Sequence, residues 1–199
     1  MKKTNISKCV ALATILSVAG TASAFAGNIY VDGGVGVAST KVAGQIISQD
    51  SMTKSHLSGG VAVGYQQELN DKWDAGAELG YSYFGTISNN VGSDELKFQS
   101  SSIDLAGVGT YHIDEKWAVF GKGGVAYMMS KVTDSQGVLS GEDSNEYKPL
   151  LGAGVRYSID EQLSLQGTYT HYFGDNSNTS NNYAPVVNNF LVGVHYTFE

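Results

Sequence analysis

The chain has one cysteine, two prolines and, after its first 26 residues, no long apolar stretch. Cys9 lies in the N-terminal segment, so the rest of the chain offers neither a disulfide framework nor a thiol nucleophile. A helix that spans a membrane needs about 20 predominantly apolar residues. No run of 18 apolar residues follows position 26, so any membrane crossing by this chain must be made by strands.

Basic residues are also scarce, with 12 Lys and Arg against 19 Asp and Glu and a net charge of −7. Proteins that bind nucleic acids usually have patches of basic residues, so this excess of acidic residues argues against a nucleic-acid partner. The four histidines are scattered along the chain without the spacing of metal ligands: His56, His112, His171 and His195. We therefore predict no metal site and no cofactor.

Residues 1–26 have the pattern of a secretory signal peptide. Lysines at positions 2, 3 and 8 precede an apolar stretch over 10–19, and Ala24-Phe25-Ala26 fits the small-x-small cleavage rule, as does Ala22-Ser23-Ala24. We expect cleavage after Ala26, which removes Cys9 and leaves residues 27–199 as one domain. That domain carries 9 basic and 19 acidic residues.

Tyrosine and glycine are abundant, with 12 and 25 copies. Three tyrosines stand 46 residues apart, and each leads into a similar short phrase that follows Tyr65, Tyr111 and Tyr157. The phrases are Leu69-Asn70-Asp71-Lys72-Trp73, Ile113-Asp114-Glu115-Lys116-Trp117 and Ile159-Asp160-Glu161-Gln162-Leu163. The sequence therefore predicts three similar long hairpins, with tight turns at one end of the strands and long polar connections at the other end. Such a pattern is typical of a barrel that spans an outer membrane.

Eight segments alternate between apolar and small or polar residues with a period of two. Their predicted limits are 28–39, 56–68, 73–84, 101–112, 117–130, 148–158, 163–173 and 188–198. Hydrocarbon offers no partner to a free strand edge, so the eighth strand must pair with the first. We predict an all-β fold, an eight-stranded antiparallel transmembrane β-barrel with short periplasmic turns. The long extracellular loops are predicted at 40–55, 85–100, 131–147 and 174–187.

The distribution of aromatic residues predicts that the apolar face points outward. A soluble barrel turns its apolar face inward, but here the opposite face is too rich in glycine for a soluble core. Aromatic side chains cluster at strand ends, where amphipathic rings prefer the membrane interface. The predicted girdle on the tight-turn side is Tyr65, Trp73, Tyr111, Trp117, Tyr157, Tyr196 and Phe198. On the other side we predict Tyr81, Tyr83, Tyr127, Tyr169 and Tyr172.

The alternation also selects the side chains of the lumen: Asp32, Glu78, Asp104, Lys122, Arg156, Gln166 and His195. An unpaired ion in so narrow a space costs several kcal/mol. We therefore predict an ion-pair network of Glu78, Lys122, Arg156 and Gln166, in which Glu78 meets Lys122, Arg156 or both. An eight-stranded interior is just wide enough for side chains to fill. A plugged lumen is favoured over a narrow porin. The lumen ions either only neutralise one another or, as the alternative hypothesis, form a switchable gate at Glu78.

Four stretches, in order, resemble a known family. They are the third-strand segment 77–85 (Ala-Glu-Leu-Gly-Tyr-Ser-Tyr-Phe-Gly), Lys122 with Gly124, the segment 149–157 (Pro-Leu-Leu-Gly-Ala-Gly-Val-Arg-Tyr) and the closing segment 193–198 (Gly-Val-His-Tyr-Thr-Phe). Together they resemble the transmembrane domain of the outer membrane protein A family, over nearly the whole chain after the signal. The resemblance implies residence in the outer membrane of a Gram-negative cell. It also implies that the outer-membrane assembly machinery recognises the closing strand.

The chain departs from that family at three points. Arg156 stands where the family has an inward acid, and Gln166 stands where it has an inward arginine, so the family's lumen charges are rearranged here. The family often carries a peptidoglycan-binding domain after the barrel, whereas this sequence stops at Glu199. The resemblance therefore implies neither wall anchoring nor an intact gating mechanism.

We predict no enzymatic activity. His171-Tyr172-Phe173 is suggestive of the His-x-Ser element of a lipid A deacylase, but Phe173 occupies the position of the nucleophile. His56 and Ser58 lie two apart on the inward face, away from lipid. The remote alternative remains a lipid A-modifying enzyme. The favoured function is a structural and surface-interaction role, with outer-membrane lipid and lipopolysaccharide as surroundings and the loops as the contact with a host or cell-surface ligand.

Overall fold

The computed structural model describes residues 27–41, 53–91, 94–134, 144–174 and 186–198. The predicted signal peptide and parts of the four predicted extracellular loops lie outside these residues. Eight strands follow one another: β1 (Asn28–Lys41), β2 (Thr53–Asn70), β3 (Trp73–Val91), β4 (Asp94–His112), β5 (Trp117–Asp134), β6 (Ser144–Ser158), β7 (Leu163–Tyr172) and β8 (Val186–Phe198). Among the described residues, no helix has both the length and the apolar character to cross a membrane.

The strands form a closed antiparallel barrel in which each strand pairs with its sequence neighbours. Closure is made by β1 and β8, with Ile29 opposite Phe198 at one end and Lys41 opposite Val186 at the other. The ladder leaves no open sheet edge, as a hydrocarbon environment requires. The predicted fold class is confirmed.

The three tight turns share one local structure. The side-chain oxygen of Asn70 accepts hydrogen bonds from the amides of Lys72 and Trp73 at 3.0 and 3.1 Å. Asp114 and Asp160 make the same pair of bonds in the other two turns, at 2.7 to 2.9 Å. Asn and Asp favour such turns because their short side chains replace a backbone acceptor. The repeated phrase in the sequence is therefore a repeated turn.

Neighbouring turns are also tied to the next strand. The carbonyl of Lys72 accepts a hydrogen bond from the amide of His112 at 2.9 Å, and the carbonyl of Lys116 accepts one from Ser158 at 2.8 Å. The first copy has two additional residues between its tyrosine and its turn. β3 has two matching additional residues, so that Tyr65 lies opposite Ala77, four positions after Trp73, whereas Tyr111 lies opposite Val119, two positions after Trp117.

We expect Asp114→Ala to lower the free energy of unfolding by about 1 kcal/mol, the net value of one to two ordinary hydrogen bonds. Asp114→Asn should unfold close to wild type, because the amide oxygen can accept the same two bonds that Asn70 accepts in the first turn. Urea unfolding of the barrel in lipid vesicles measures both. An equal loss in the two variants would contradict the acceptor role.

One prediction about the loops is wrong. Residues 85–100 were expected to form an extracellular loop, but β3 continues to Val91 and β4 begins at Asp94. The ladder is interrupted between Tyr83 and Thr86, where Gly85 has a φ of +88°. Glycine adopts this left-handed conformation without the steric cost of a Cβ. The strands resume beyond that irregularity, so the hairpin extends past the alternating segment that the sequence displays.

The two faces of the sheet differ as predicted. Large apolar side chains point outward along every strand, among them Leu79, which is 52% exposed, and Val194, which is 45% exposed. Inward positions nearer the tight turns carry mostly small, polar or ionic side chains, with the buried rings of Tyr30 and Phe120 among them. In a soluble monomer this arrangement would leave a continuous apolar belt in water. The outward orientation of the apolar face is therefore confirmed.

The interior also contains an apolar group that the alternation did not predict, interleaved with buried polar residues: Ser102 lies opposite Met128, and Asn189 lies opposite Ala38. Eight buried side chains form one contiguous group inside the barrel, which we call the apolar plug: Ala38, Phe84, Ala106, Ala126, Met128, Leu150, Tyr172 and Val187. Tyr172 was predicted to lie at the membrane interface, and this prediction is wrong. It points inward and is 1% exposed, because it lies three positions from the outward Tyr169 and so falls on the opposite face.

Candidate functional site

The lumen contains one close lysine–carboxylate pair that the sequence predicted. Lys122 on β5 donates a hydrogen bond from Nζ to Oε1 of Glu78 on β3 at 3.0 Å, and both side chains are largely buried. The hydroxyl of Tyr30 on β1 donates to the other carboxylate oxygen, Oε2, at 3.3 Å. One carboxylate thus connects three strands across the lumen.

None of the described hydrogen bonds joins Arg156 or Gln166 to this pair, so the four-residue network stays a prediction. The guanidinium carbon of Arg156 lies 5.2 Å from the centroid of the Phe120 ring, a cation–π distance. Its Nε is buried without a hydrogen-bond partner, as is Oε1 of Gln166. The two residues are opposite one another in the β6–β7 ladder. Arg156 is held by an aromatic face, with Glu78 within electrostatic range.

Two histidine–carboxylate pairs near the tight-turn end were not predicted. Nδ1 of His195 lies 2.6 Å from Oδ1 of Asp32, and the two residues are opposite each other in the β1–β8 ladder. Nε2 of His112 lies 2.7 Å from Oδ2 of Asp74. Alternation places Asp32 and His195 on the inward face, but only the register of β1 with β8 pairs them. No turn connects those two strands, and no local pattern sets their alignment.

A second polar group surrounds Asp104 further up the barrel. Its Oδ2 accepts hydrogen bonds from the hydroxyls of Tyr172 at 2.9 Å and Ser82 at 3.3 Å. The two hydroxyls are 3.2 Å from each other. Ser58 donates to Asn189 at 2.7 Å in the same half of the barrel. Tyr172 therefore belongs to both groups, with its ring in the apolar plug and its hydroxyl in the polar group around Asp104.

A small cavity of about 50 Å³ lies between these two polar groups. Its wall includes Asp32, Glu78, Asp104, Lys122 and Asn189. That volume accommodates roughly four water molecules, since each needs about 10–15 Å³ of free space and several polar partners. A cavity of this size holds water but is too small for a large solute.

The predicted girdle residues occur largely as touching pairs on the outward face. Ring centroids are 4.9 Å apart in Trp73–Tyr111 and in Trp117–Tyr157, and 5.0 Å apart in Tyr196–Phe198. Both Trp–Tyr pairs join residues directly opposite each other in neighbouring strands. Cross-strand aromatic pairs stabilise a sheet beyond the area that they bury. The remaining member, Tyr65, lies opposite Ile29 and Ala77.

Tyrosines also mark the other end of the outward face. The rings of Tyr127 and Tyr147 are 5.0 Å apart. Asn188 on β8 accepts hydrogen bonds on Oδ1 from the hydroxyl of Tyr169 and lies 2.7 Å from Nδ1 of His171. His171 is therefore tied to an amide, and the ring of Phe173 packs edge-on against it at 4.5 Å. Within the described part of the chain, no group of three or more His, Cys, Asp or Glu side chains is placed to hold a metal ion.

A closed eight-stranded antiparallel barrel with an apolar outer belt, aromatic ends and a charged interior defines an outer-membrane β-barrel protein. The protein-family model of the OmpA-like transmembrane domain matches residues 24–199 of the sequence, and the chain belongs to that family. It is an outer-membrane protein.

Two relatives match over most of this chain. One is an uncharacterized protein of Coxiella burnetii, 29% identical over 209 residues that cover 87% of this chain and 82% of the relative. The other is outer membrane protein P5 of Haemophilus influenzae, 28% identical over 153 residues that cover 70% of this chain. The matched region is 43% of the P5 chain.

Solved structures share the fold at low sequence identity. Ail, the attachment invasion locus protein of Yersinia pestis, in complex with the heparin analogue sucrose octasulfate, is 15% identical with a TM-score of 0.55, covering 87% of this chain and all of that one. Neisserial surface protein A is 16% identical with a TM-score of 0.55, covering 85% and 97%. At this identity the likeness concerns the fold alone.

Proposed function

We propose that this protein is a structural and surface-interaction barrel of the outer membrane whose lumen is closed to solutes. The observation that carries the proposal is the filled interior. Glu78, Lys122 and Tyr30 bridge the lumen at one level, and the apolar plug together with the polar group around Asp104 fills it further up. Because the lumen is occupied, the function is assigned to the rigid barrel wall and to the extracellular loops. The export signal at residues 1–26 belongs to the same proposal.

The loops supply the contact with the cell surroundings. Residues 175–182 read Asp-Asn-Ser-Asn-Thr-Ser-Asn-Asn, a segment rich in uncharged hydrogen-bonding groups. Ail was crystallised with a sulfated heparin analogue. The excess of acid in the present chain disfavours so anionic a ligand by charge repulsion. We therefore favour a neutral glycan or a protein surface as the ligand of these loops.

The closing strand supports a role for the outer-membrane assembly machinery as a partner. Tyr196 and Phe198 form an edge-to-face pair at the end of β8, and the hydroxyl of Tyr196 donates to Gln162 at 3.0 Å. The alternating aromatic end supports recognition by the outer-membrane assembly machinery. The proposal includes no catalytic role, because His171 is engaged with Asn188 and Phe173 occupies the position where a nucleophile would be needed.

We expect vesicles that contain the purified protein to show no more swelling in small neutral sugars than empty vesicles. The reason is that Glu78, Lys122 and Tyr30 bridge the lumen, and the cavity of about 50 Å³ beside them is too small for a sugar. Liposome swelling measures this directly, with a general porin as the positive control. Rapid swelling in a sugar of monosaccharide size would favour the narrow-porin alternative and contradict the closed lumen.

The surface role is tested separately from the scaffold. In cells that lack the protein, envelope integrity is followed by uptake of a dye that an intact outer membrane excludes. Complementation uses wild type and a variant in which residues 175–182 are replaced by Gly and Ser. If the loops carry adhesion and the wall carries integrity, the variant restores dye exclusion but not adherence to host cells. Loss of neither property on deletion would contradict the proposal.

A further inference from the structure

We propose that the outer rim of β7 and β8 is a binding site for the sugar headgroup of a glycolipid in the outer leaflet. The site consists of Tyr169, His171 and Asn188, which we call the rim triad. This inference goes beyond the proposed function. It depends only on residence in the outer membrane, where lipopolysaccharide presents a disaccharide headgroup to the outward face of the barrel.

The three side chains of the rim triad share one hydrogen-bond acceptor on the lipid-facing side of the sheet. The hydroxyl of Tyr169 donates to Oδ1 of Asn188 at 2.7 Å, and Nδ1 of His171 lies 2.7 Å from the same oxygen. An amide oxygen can only accept, so the imidazole carries a proton on Nδ1. The shared acceptor therefore holds the three side chains in one arrangement.

The rim triad has further hydrogen-bonding groups to offer a ligand. Oδ1 of Asn188 is engaged twice, and the remaining groups are the amide N–H donors, Nε2 of the neutral His171 and the oxygen lone pairs of Tyr169. Tyr169 is 47% exposed, and Phe173, whose ring packs on His171, is 39% exposed. Donors and acceptors beside apolar ring faces fit a sugar, which has hydroxyl groups at its edge and C–H groups on its faces.

The position of the rim triad in the membrane follows from the ladder. Leu163 and Tyr196 lie opposite each other at the tight-turn end of β7 and β8. His171 lies eight residues beyond Leu163 on β7. At about 3.3 Å per residue and a tilt of about 40°, these residues rise roughly 20 Å, which is most of the ~25 Å apolar band of such a barrel. Because tight turns are periplasmic in this class of protein, the triad lies near the outer headgroups.

A change from apolar to polar side chains marks the same level on three adjacent strands. Ser39 on β1 lies opposite Asn188, which lies opposite His171. The outward row two residues nearer the periplasm is apolar or aromatic: Val37, Phe190 and Tyr169. Polar groups are costly in hydrocarbon, so the polar row indicates where the acyl chains end and the headgroups begin. The row contains no lysine or arginine, the side chains that suit phosphate, and this favours sugar hydroxyls as its ligand.

The test counts lipids bound to the purified barrel in detergent by native mass spectrometry. The protein is titrated with lipid A, with lipid A from which the phosphates have been removed, and with phosphatidylglycerol. We expect wild type to bind both forms of lipid A with similar affinity and phosphatidylglycerol more weakly, because only lipid A has the sugar headgroup.

Tyr169→Phe and Tyr81→Phe form a matched pair of variants. Each removes one hydroxyl from an outward tyrosine, 47% and 43% exposed, but only Tyr169 belongs to the rim triad. Asn188→Leu removes the shared acceptor and the amide donors together. We expect the affinity for lipid A to fall about tenfold in Asn188→Leu, as for the loss of one to two ordinary hydrogen bonds. Tyr169→Phe should show a smaller loss, and Tyr81→Phe should bind like wild type.

A heat-modifiability gel, in which a folded barrel migrates differently before and after boiling, verifies that each variant is folded. If Asn188→Leu does not fold, the comparison of Tyr169→Phe with Tyr81→Phe decides alone. Weaker binding of lipid A confined to the folded triad variants supports the site. Equal affinity in all the proteins, equal binding of phosphatidylglycerol, or loss of binding on removal of the phosphates would overturn it. The closed lumen is tested separately by liposome swelling.

Discussion

Gly193→Ala is expected to prevent the barrel from closing. Gly193 on β8 lies opposite Gly34 on β1, at the seam that joins the two ends of the sheet. A Cβ at position 193 would overlap the backbone oxygen of Gly33 and lie 2.6 Å from Cα of Gly34. Backbone cannot rotate away as a flexible side chain can, so the seam itself must open. Each unpaired backbone group in hydrocarbon costs several kcal/mol.

The matched control is Gly33→Ala, on the neighbouring strand of the same seam. A Cβ at Gly33 meets no atom within 4 Å. After refolding into lipid vesicles, Gly33→Ala should give the same heat-modifiable band as wild type. Gly193→Ala should give only the mobility of the unfolded chain and should be depleted from the outer-membrane fraction of cells. A compact, heat-modifiable Gly193→Ala barrel would show that the seam tolerates a methyl group.

Most of the fold was predictable because its signals are local. Alternation within a strand indicates which side chains face the lipid and which face the lumen. The Asn or Asp of each tight turn indicates where the chain reverses. Together they predict eight strands, and the cost of an open edge in hydrocarbon then requires β8 to meet β1. The extension of β3 beyond Gly85 carries no such signal, because the residues from Thr86 to Val91 do not alternate.

The lumen was predictable as a set of residues but not as a set of partners. Alternation places Glu78, Lys122 and Arg156 on the inward face. Which base meets the carboxylate depends on the stagger between strands that are not neighbours and on the lengths of the side chains. The structure pairs Glu78 with Lys122, while Arg156 packs on Phe120. No periodicity in the sequence encodes that choice.

The apolar plug was missed for a different reason. Large apolar residues in these strands were assigned to the lipid-facing side, and tyrosine was assigned to the interface. Both assignments hold on average, but Leu150 and Tyr172 are on inward positions when the alternation is counted from Leu151 and Tyr169. Counting the alternation along β6 and β7 therefore predicts that Leu150 and Tyr172 point inward. A preference based on residue type outweighed the alternation, so the apolar side chains of the lumen were not predicted.

Glu78→Gln is expected to lower the free energy of unfolding by about 3 kcal/mol, at the lower end of the range for breaking a buried ion pair. The substitution leaves the Lys122 ammonium with a neutral partner in a confined space. It also weakens the acceptor for the Tyr30 hydroxyl, since an amide oxygen is a poorer acceptor than a carboxylate. The water-sized cavity beside Lys122 hydrates part of the stranded charge, which is why the lower end of the range applies.

A double-mutant cycle distinguishes a stranded charge from a loss of packing. Lys122→Met removes the charge and keeps much of the aliphatic stem, so Glu78→Gln combined with Lys122→Met should recover most of the stability lost in the single Glu78 variant. Replacing a buried ion pair by neutral groups is often close to neutral, whereas removing one partner is costly. Urea unfolding in lipid vesicles gives the four free energies. If the double variant were as unstable as the sum of the two singles, the pair would contribute no coupling. The two residues would then act as independent fillers of the lumen and not as an ion pair.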